Sequence, residues 1–230
     1  MRLWISTCPD DFSAEFDDIE EMFRRGLTRL ILDKRGRSLY NLTSSENPVP
    51  QESMYRRATA DDYERWLLSL PMDLRDRIWV RGTPDMAEQL DVRGCVCEAQ
   101  SFMGDVPESW KRINCVALCK DFKEVQKLPT WISGALVGPI FQPLSAIEPV
   151  KTLGSDFATN IAANVATNAA SNAAFNPANI PLILYGGVDV DTIDDFNKFS
   201  PAGVMALGGI WNYADPINAF IKLNRACGNR

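Results

Sequence analysis

Near the C-terminal end of the chain, two glycine pairs each close a short apolar run. Pro181-Leu182-Ile183-Leu184-Tyr185 leads into Gly186-Gly187, and Ala202-Gly203-Val204-Met205-Ala206-Leu207 leads into Gly208-Gly209. Residues suited to opening a helix follow each pair: Val188-Asp189-Val190-Asp191 after the first, Trp211 to Pro216 after the second. A glycine lets bare backbone N–H groups face a ligand, and the helix behind it adds the positive end of its dipole. Two such units in tandem can hold an anion of the phosphate type. Ordinary acid–base catalysis is poorly supplied, because the chain has no histidine.

Bringing two glycine turns side by side calls for neighbouring parallel strands, and the rest of the sequence offers them. Short β-like runs alternate with helical stretches, the pattern of a parallel sheet built from βα units. The expected strands are Leu3–Ser6, Thr28–Asp33, Arg77–Arg81, Gly94–Cys97, Ile113–Cys119, Ala135–Gly138 and the two glycine-ended runs. A first helix should start near Ser13 and turn Phe16, Ile19 and Phe23 inward. A second should begin at Thr59 and end before Pro71, with Tyr63, Trp66, Leu67 and Leu70 inward. Short helices are expected from Pro84 and Asp121, and a final one carries Ile217, Phe220 and Ile221. Eight strands alternating with helices make the fold class α/β, a single (β/α)8 TIM barrel spanning residues 1–230.

Two insertions depart from that economy, after strands two and six. Residues 36–58 form a long polar connection. Residues 154–179 place asparagine at 160, 164, 168, 172 and 176 on an alanine-rich background, one stripe of a helix. Both would emerge at the C-terminal rim of the barrel, where active sites lie. The stretch reads as a tolerated low-complexity insertion or, in the sharper reading, as a lid or partner-binding helix.

Composition narrows the function classes. A net charge of −6 argues against a nucleic-acid partner, which would need clustered Lys and Arg. No apolar run approaches the roughly 20 residues of a membrane span, and the N-terminus turns acidic too soon for a signal peptide, so the cytoplasm is the expected location. Cysteines at 8, 95, 97, 115, 119 and 227 match no zinc spacing and read as small buried apolar residues.

Along the glycine runs, the residues resemble a known family. Gly138-Pro139-Ile140-Phe141, then Gly186-Gly187-Val188, then Gly203 to Trp211 with Asp215-Pro216, are similar to the G-P-I-Y/F, G-G-I and eighth-strand motifs of the thiamine phosphate synthase/TenI family. Gly26 to Leu30, Arg77 to Val80 with Met86-Ala87, and Gly94 to Val96 look like the earlier strands of the same family. The resemblance covers nearly the whole chain apart from the two insertions. It implies a barrel that joins a pyrimidine methyl diphosphate to a thiazole phosphate, or that binds or aromatises the thiazole phosphate. It also implies phosphate contacts at Gly186, Gly187, Leu207 and Gly208, with Ser145 as a further substrate contact.

Elsewhere the chain departs from the family pattern. Magnesium is expected for the family, but its ligand positions fall on Gly82 and Ser101, so no metal ligand is assigned. The second-strand Q-x-R-x-K reads Ile31 to Arg35. The fifth-strand serine and histidine fall at Leu118 and Lys120. Departure of a diphosphate needs a metal or cations against the growing charge. Arg35, Arg81 and Lys120 are therefore the candidate catalytic cations. Two function classes follow: a divergent transferase of the thiamine phosphate synthase type, or a barrel that binds a small-molecule phosphate ester for regulation without chemistry. An unrelated sugar-phosphate isomerase lacks an acid/base pair. The sequence does not fix an oligomeric partner.

Overall fold

Eight parallel strands close into a barrel in sequence order: β1 (Arg2–Ser6), β2 (Leu30–Leu32), β3 (Ile78–Arg81), β4 (Gly94–Glu98), β5 (Asn114–Cys119), β6 (Gly134–Val137), β7 (Leu182–Tyr185) and β8 (Gly203–Ala206). Closure is made by β8 against β1, where Leu3 faces Val204 and Ile5 faces Ala206. The computed structural model describes residues 1–9, 14–34, 58–154, 157 and 180–228. Arg35, most of the connection at 36–58 and nearly all of the asparagine/alanine stretch at 154–179 lie outside the described residues. The fold is the (β/α)8 barrel that the alternating pattern implies.

Around the barrel run α1 (Glu15–Arg24), α2 (Ala60–Leu67), α3 (Pro84–Gln89), α4 (Phe122–Gln126), α5 (Ile193–Asn197), α6 (Gly208–Trp211) and α7 (Pro216–Ala226). α1 buries Ile19, Met22 and Phe23 at helical spacing, each side chain contributing about 1.5–3 kcal/mol of apolar burial. At α2, Thr59 and Asp62 form a reciprocal cap, worth roughly 0.5–2 kcal/mol. Asp215 caps α7 by accepting the Asn218 N–H at 2.9 Å, and Pro216 sits where a missing N–H costs nothing. In α7 the fully buried residues are Phe220 and Leu223, while Ile217 and Ile221 pack half-buried beside them. No helix among the described residues is long and apolar enough to cross a membrane.

Strand alternation sorts side chains into an outer shell and a barrel interior. Leu3, Ile5, Leu30, Leu32, Ile78 and Val80 face the helices. Trp4, Ile31, Trp79, Val96, Val116, Leu136 and Ile183 fill the middle of the interior. Two residues further along the strands, Ser6, Asp33, Arg81, Glu98, Leu118 and Tyr185 share the inward parity and form the layer beneath the C-terminal mouth. Two residues earlier, Arg2, Arg29 and Asn114 hold the corresponding places at the N-terminal mouth. Cys95, Cys97, Cys115, Cys119 and Cys227 are buried outside any disulfide, the small apolar role expected of them. Burial pushes the Cys119 thiol up to about 12, so it stays protonated and unreactive.

The glycine turns add to the sequence expectation. After β8 the short α6 begins at once, because Ile210 and Trp211 both donate to Leu207 O at 3.0 Å, and the expected helix start within Trp211 to Pro216 follows as α7. After β7 the helix waits until Ile193. Thr192 Oγ1 accepts the Asp189 N–H at 3.0 Å and donates to Gly187 O at 2.6 Å, which holds the intervening residues in a turn.

Candidate functional site

The C-terminal mouth holds a cavity of about 240 Å³ between the ends of β1, β2, β7 and β8. Gly186, Gly187, Leu207 and Gly208 line it together with Ser145, the five positions singled out for a phosphate ester. Ser6, Asp33, Tyr185 and Met205 form its floor from the strand ends. Two turns separated by some 20 residues of sequence thus open onto one space because β7 and β8 pair directly, with Tyr185 opposite Met205.

Local geometry explains why glycine stands there. Gly186 and Gly187 have φ of 91° and 71°, a left-handed backbone that other residues adopt at a cost. A Cβ on Gly208 would lie 2.8 Å from Ser145 N and 2.9 Å from Leu144 Cβ. The loop after β6 therefore rests on the start of α6, and Asn212 Nδ2 secures it by donating to Leu144 O at 2.8 Å. Trp211 Nε1 donates to Ser6 O at 2.7 Å and anchors the same helix on β1. Within that frame the backbone N–H groups of Gly187, Gly208 and Gly209 have no backbone acceptor among the described residues. Donors that the fold leaves unspent beside a cavity are what an oxyanion needs.

The layer of inward side chains at this end of the barrel carries charge of both signs, although only Asp33 among them lines the cavity as a charged residue. Thr7 Oγ1 donates to Asp33 O and accepts the Asp33 N–H, both at 2.9 Å, fixing the backbone that presents Asp33 to the cavity. Burial, and then the Glu98 carboxylate, raise the Tyr185 hydroxyl above its ordinary range, so it is a neutral donor at physiological pH. Arg81 donates to Glu98 Oε1 at 2.5 Å and to Val96 O at 3.0 Å. Their side chains are 25% and 38% exposed, so solvent screens the pair only in part.

The candidate cations are not brought together on this cavity. Arg81 does not line it and spends its guanidinium on Glu98 and the β4 backbone. Lys120 is exposed beyond β5, with its backbone N–H donated to Glu124 Oε2 at 2.8 Å, and it does not line the cavity either. Arg35 lies outside the described residues. The described residues do not fit a magnesium ion. Gly82 offers no ligand, Ser101 is exposed on a short turn, Glu98 is held by Arg81, and no group of three His, Cys, Asp or Glu suited to a metal occurs among the described residues.

Asp33, Tyr185 and Glu98 were not singled out by sequence reasoning. Their signal lay in strand parity: each stands two residues beyond an interior apolar residue, at Ile31, Ile183 and Val96.

No family model and no curated protein matches the chain. Solved structures do. A thiamine phosphate pyrophosphorylase from Bacteroides thetaiotaomicron superposes with a TM-score of 0.66 at 20% identity, covering 99% of this chain and 98% of that one. A thiamine phosphate pyrophosphorylase from Pyrococcus furiosus gives 0.64 at 16% identity, covering 99% and 95%. A 3-hexulose-6-phosphate synthase gives 0.57 at 14% identity, covering 98% and 99%. At such identities the likeness is one of fold.

Proposed function

We propose that this chain is a thiamine phosphate synthase/TenI-like barrel that binds one small phosphate ester, of the thiazole phosphate kind, in the cytoplasm. The observation that carries the reading is the meeting of both glycine turns and Ser145 on a single cavity of about 240 Å³. That volume lies below the roughly 300–1,000 Å³ of pockets for drug-sized ligands, which suits one small ester. Two thiamine phosphate pyrophosphorylases among the solved structures of like fold support the thiamine side of the reading. Gly187, Gly208 and Gly209 would hold the phosphoryl oxygens through backbone N–H groups, and Ser145 would add a hydroxyl. Asp33 and Tyr185 would face the organic part of the ligand.

A transferase that joins the ester to a pyrimidine methyl diphosphate is the second reading. Asp33 and Tyr185 among the lining residues favour it, since they bring an acidic and a phenolic side chain beyond what holding a phosphoryl group requires. Magnesium-assisted departure of diphosphate has no support in the ligand positions described above. Any charge relief would fall to Arg35, Arg81 and Lys120.

Thermal melting tests the shared premise. Thiazole phosphate at a hundredfold excess over its Kd should raise the melting temperature by roughly 5–10 °C. Gly208→Val should abolish the shift and Ser145→Ala should reduce it, each variant being checked for a cooperative melt of its own. The absence of a shift in the parent protein ends the proposal. Product formation from both thiamine precursors would decide for the transferase.

A further inference from the structure

At the opposite end of the barrel a second cavity, also about 240 Å³, is lined by Arg2, Arg29 and Arg93 with Trp4, Trp79 and Asn114. In a chain with six more acidic than basic residues, this cavity has no Asp or Glu in its wall. None of the three guanidiniums forms an ion pair among the described residues, whereas Arg24, Arg25, Arg65, Arg75 and Arg81 all do. Burial, then Arg2 and Arg93, pull the Arg29 pKa below its ordinary value, with no carboxylate opposing them. Like charges gathered without counter-ions cost free energy that a bound anion would return.

A second observation points the same way. Trp79 is 7% exposed, and its Nε1 is a buried donor without an acceptor. An unmade hydrogen bond of that kind costs about 1–3 kcal/mol, and native structures keep few of them. The edge of the ring that carries Nε1 faces the N-terminal end of β4, since a Cβ on Gly94 would lie 2.9 Å from Trp79 Cδ1. Arg93 immediately precedes that strand, and Asn114 Nδ2 donates to Arg93 O at 3.2 Å. Trp4 packs on Trp79 with ring centroids 4.6 Å apart, and Arg29 lies 5.4 Å above Trp4. The aromatic pair thus braces one guanidinium while the strand ends place the others.

We propose that the N-terminal mouth of the barrel is a second anion site, for a small molecule bearing a phosphoryl group of at least two negative charges. Arg2, Arg29 and Arg93 supply guanidinium donors, whose planar fork matches phosphoryl oxygens. Trp79 Nε1 donates from the floor. The site is separate from the cavity at the C-terminal mouth, with the apolar middle layer of the barrel between them.

Calorimetric titration of the full chain with inorganic diphosphate tests this, with light scattering to follow oligomeric state. Saturable binding is expected at low salt, unchanged in Gly208→Val, which blocks only the other mouth. Arg29→Ala and Arg93→Ala should each weaken it about tenfold, as for a hydrogen bond to a charged group, and the double variant should abolish it. Because Arg93 is exposed, its variant leaves the core intact even if Arg29→Ala loosens Trp4. Trp79→Phe should weaken binding while holding or raising the melting temperature, an outcome that a purely structural indole would not give. Four results overturn the proposal: no saturable binding, binding indifferent to the double arginine variant, binding lost in Gly208→Val, or a dimer that the arginine variants dissociate with no diphosphate bound.

Discussion

The Tyr213 hydroxyl donates to Asp189 Oδ2 at 2.6 Å and so ties the segment after β8 to the turn after β7. The Asp189 carboxylate is buried, and its other oxygen accepts the Asp191 N–H at 2.9 Å. Beneath this link, a Cβ on Gly209 would lie only 2.1 Å from Val188 O, so the two turns are in backbone contact. The spacing between the two sets of glycine N–H groups is thus set from both sides, by a close packing contact and by one hydrogen bond.

Removing that hydrogen bond should loosen the spacing. Tyr213→Phe should cost about 1 kcal/mol, or roughly 2–4 °C in melting temperature for a chain of this size, and should weaken thiazole phosphate binding by a similar factor. The Asp189 bond pushes the Tyr213 hydroxyl up to about 12. A raised folded-state pKa means that this stability is complete below the unfolded value near 10 and is lost as pH climbs toward 12. The parent protein and Tyr213→Phe should therefore converge in stability across that alkaline window. A constant gap between them up to the top of it would contradict this account.

A second pair secures the opposite wall. Glu15 and Lys34 form an ion pair with both side chains fully buried, and Glu15 Oε1 also accepts the Cys8 N–H at 2.8 Å. Glu15→Met removes this buried ion pair and the bond to the Cys8 N–H, and should cost about 3–5 kcal/mol in chemical denaturation. Glu15→Met with Lys34→Met removes both charges, so the double variant should be more stable than the single one. A residual deficit of about 1–3 kcal/mol should remain, because the hydrogen bond from the Cys8 N–H to Glu15 Oε1 is lost. A double variant no better than the single one would show that the lost pairing of Lys34 with Glu15 is not what destabilises Glu15→Met.

Sequence pattern and structure agree where the physics is local. Short apolar runs mark the eight strands, and Thr59, Pro84, Asp121 and Asp215 announce their helices through side-chain capping or a preset backbone. Some element ends differ from expectation: β2 spans only Leu30–Leu32, and a short α6 starts at Gly208 because Leu207 O takes two donors. The glycine turns were legible for the same local reason. The Arg81–Glu98 bridge was not, since it joins residues 17 apart whose meeting depends on the β3–β4 register, Arg81 opposite Val96. Nor were the arginines at 2, 29 and 93, which become neighbours only when the barrel closes.

That bridge yields the sharpest test of the charge at the C-terminal mouth. Glu98 both holds Arg81 and, after burial, is the larger electrostatic cause of the raised Tyr185 pKa. Glu98→Gln removes the carboxylate and leaves an unpaired guanidinium beside the same hydroxyl. The Tyr185 pKa should therefore fall toward its ordinary value, readable by nuclear magnetic resonance titration of ring-labelled tyrosine. The freed Arg81 should also strengthen thiazole phosphate binding by roughly two- to fivefold at low salt, the worth of a partly exposed charge pair, and the gain should vanish in high salt. Arg81→Ala, by contrast, should weaken binding by a similar two- to fivefold at low salt, because it leaves the Glu98 carboxylate unopposed near the bound anion. Should Arg81→Ala alone abolish ligand binding, Arg81 would be a direct ligand contact despite its bond to Glu98. Should Glu98→Gln leave affinity unchanged at every salt concentration, Arg81 would be out of reach of the mouth, and the charge relief required of a transferase would have to come from elsewhere.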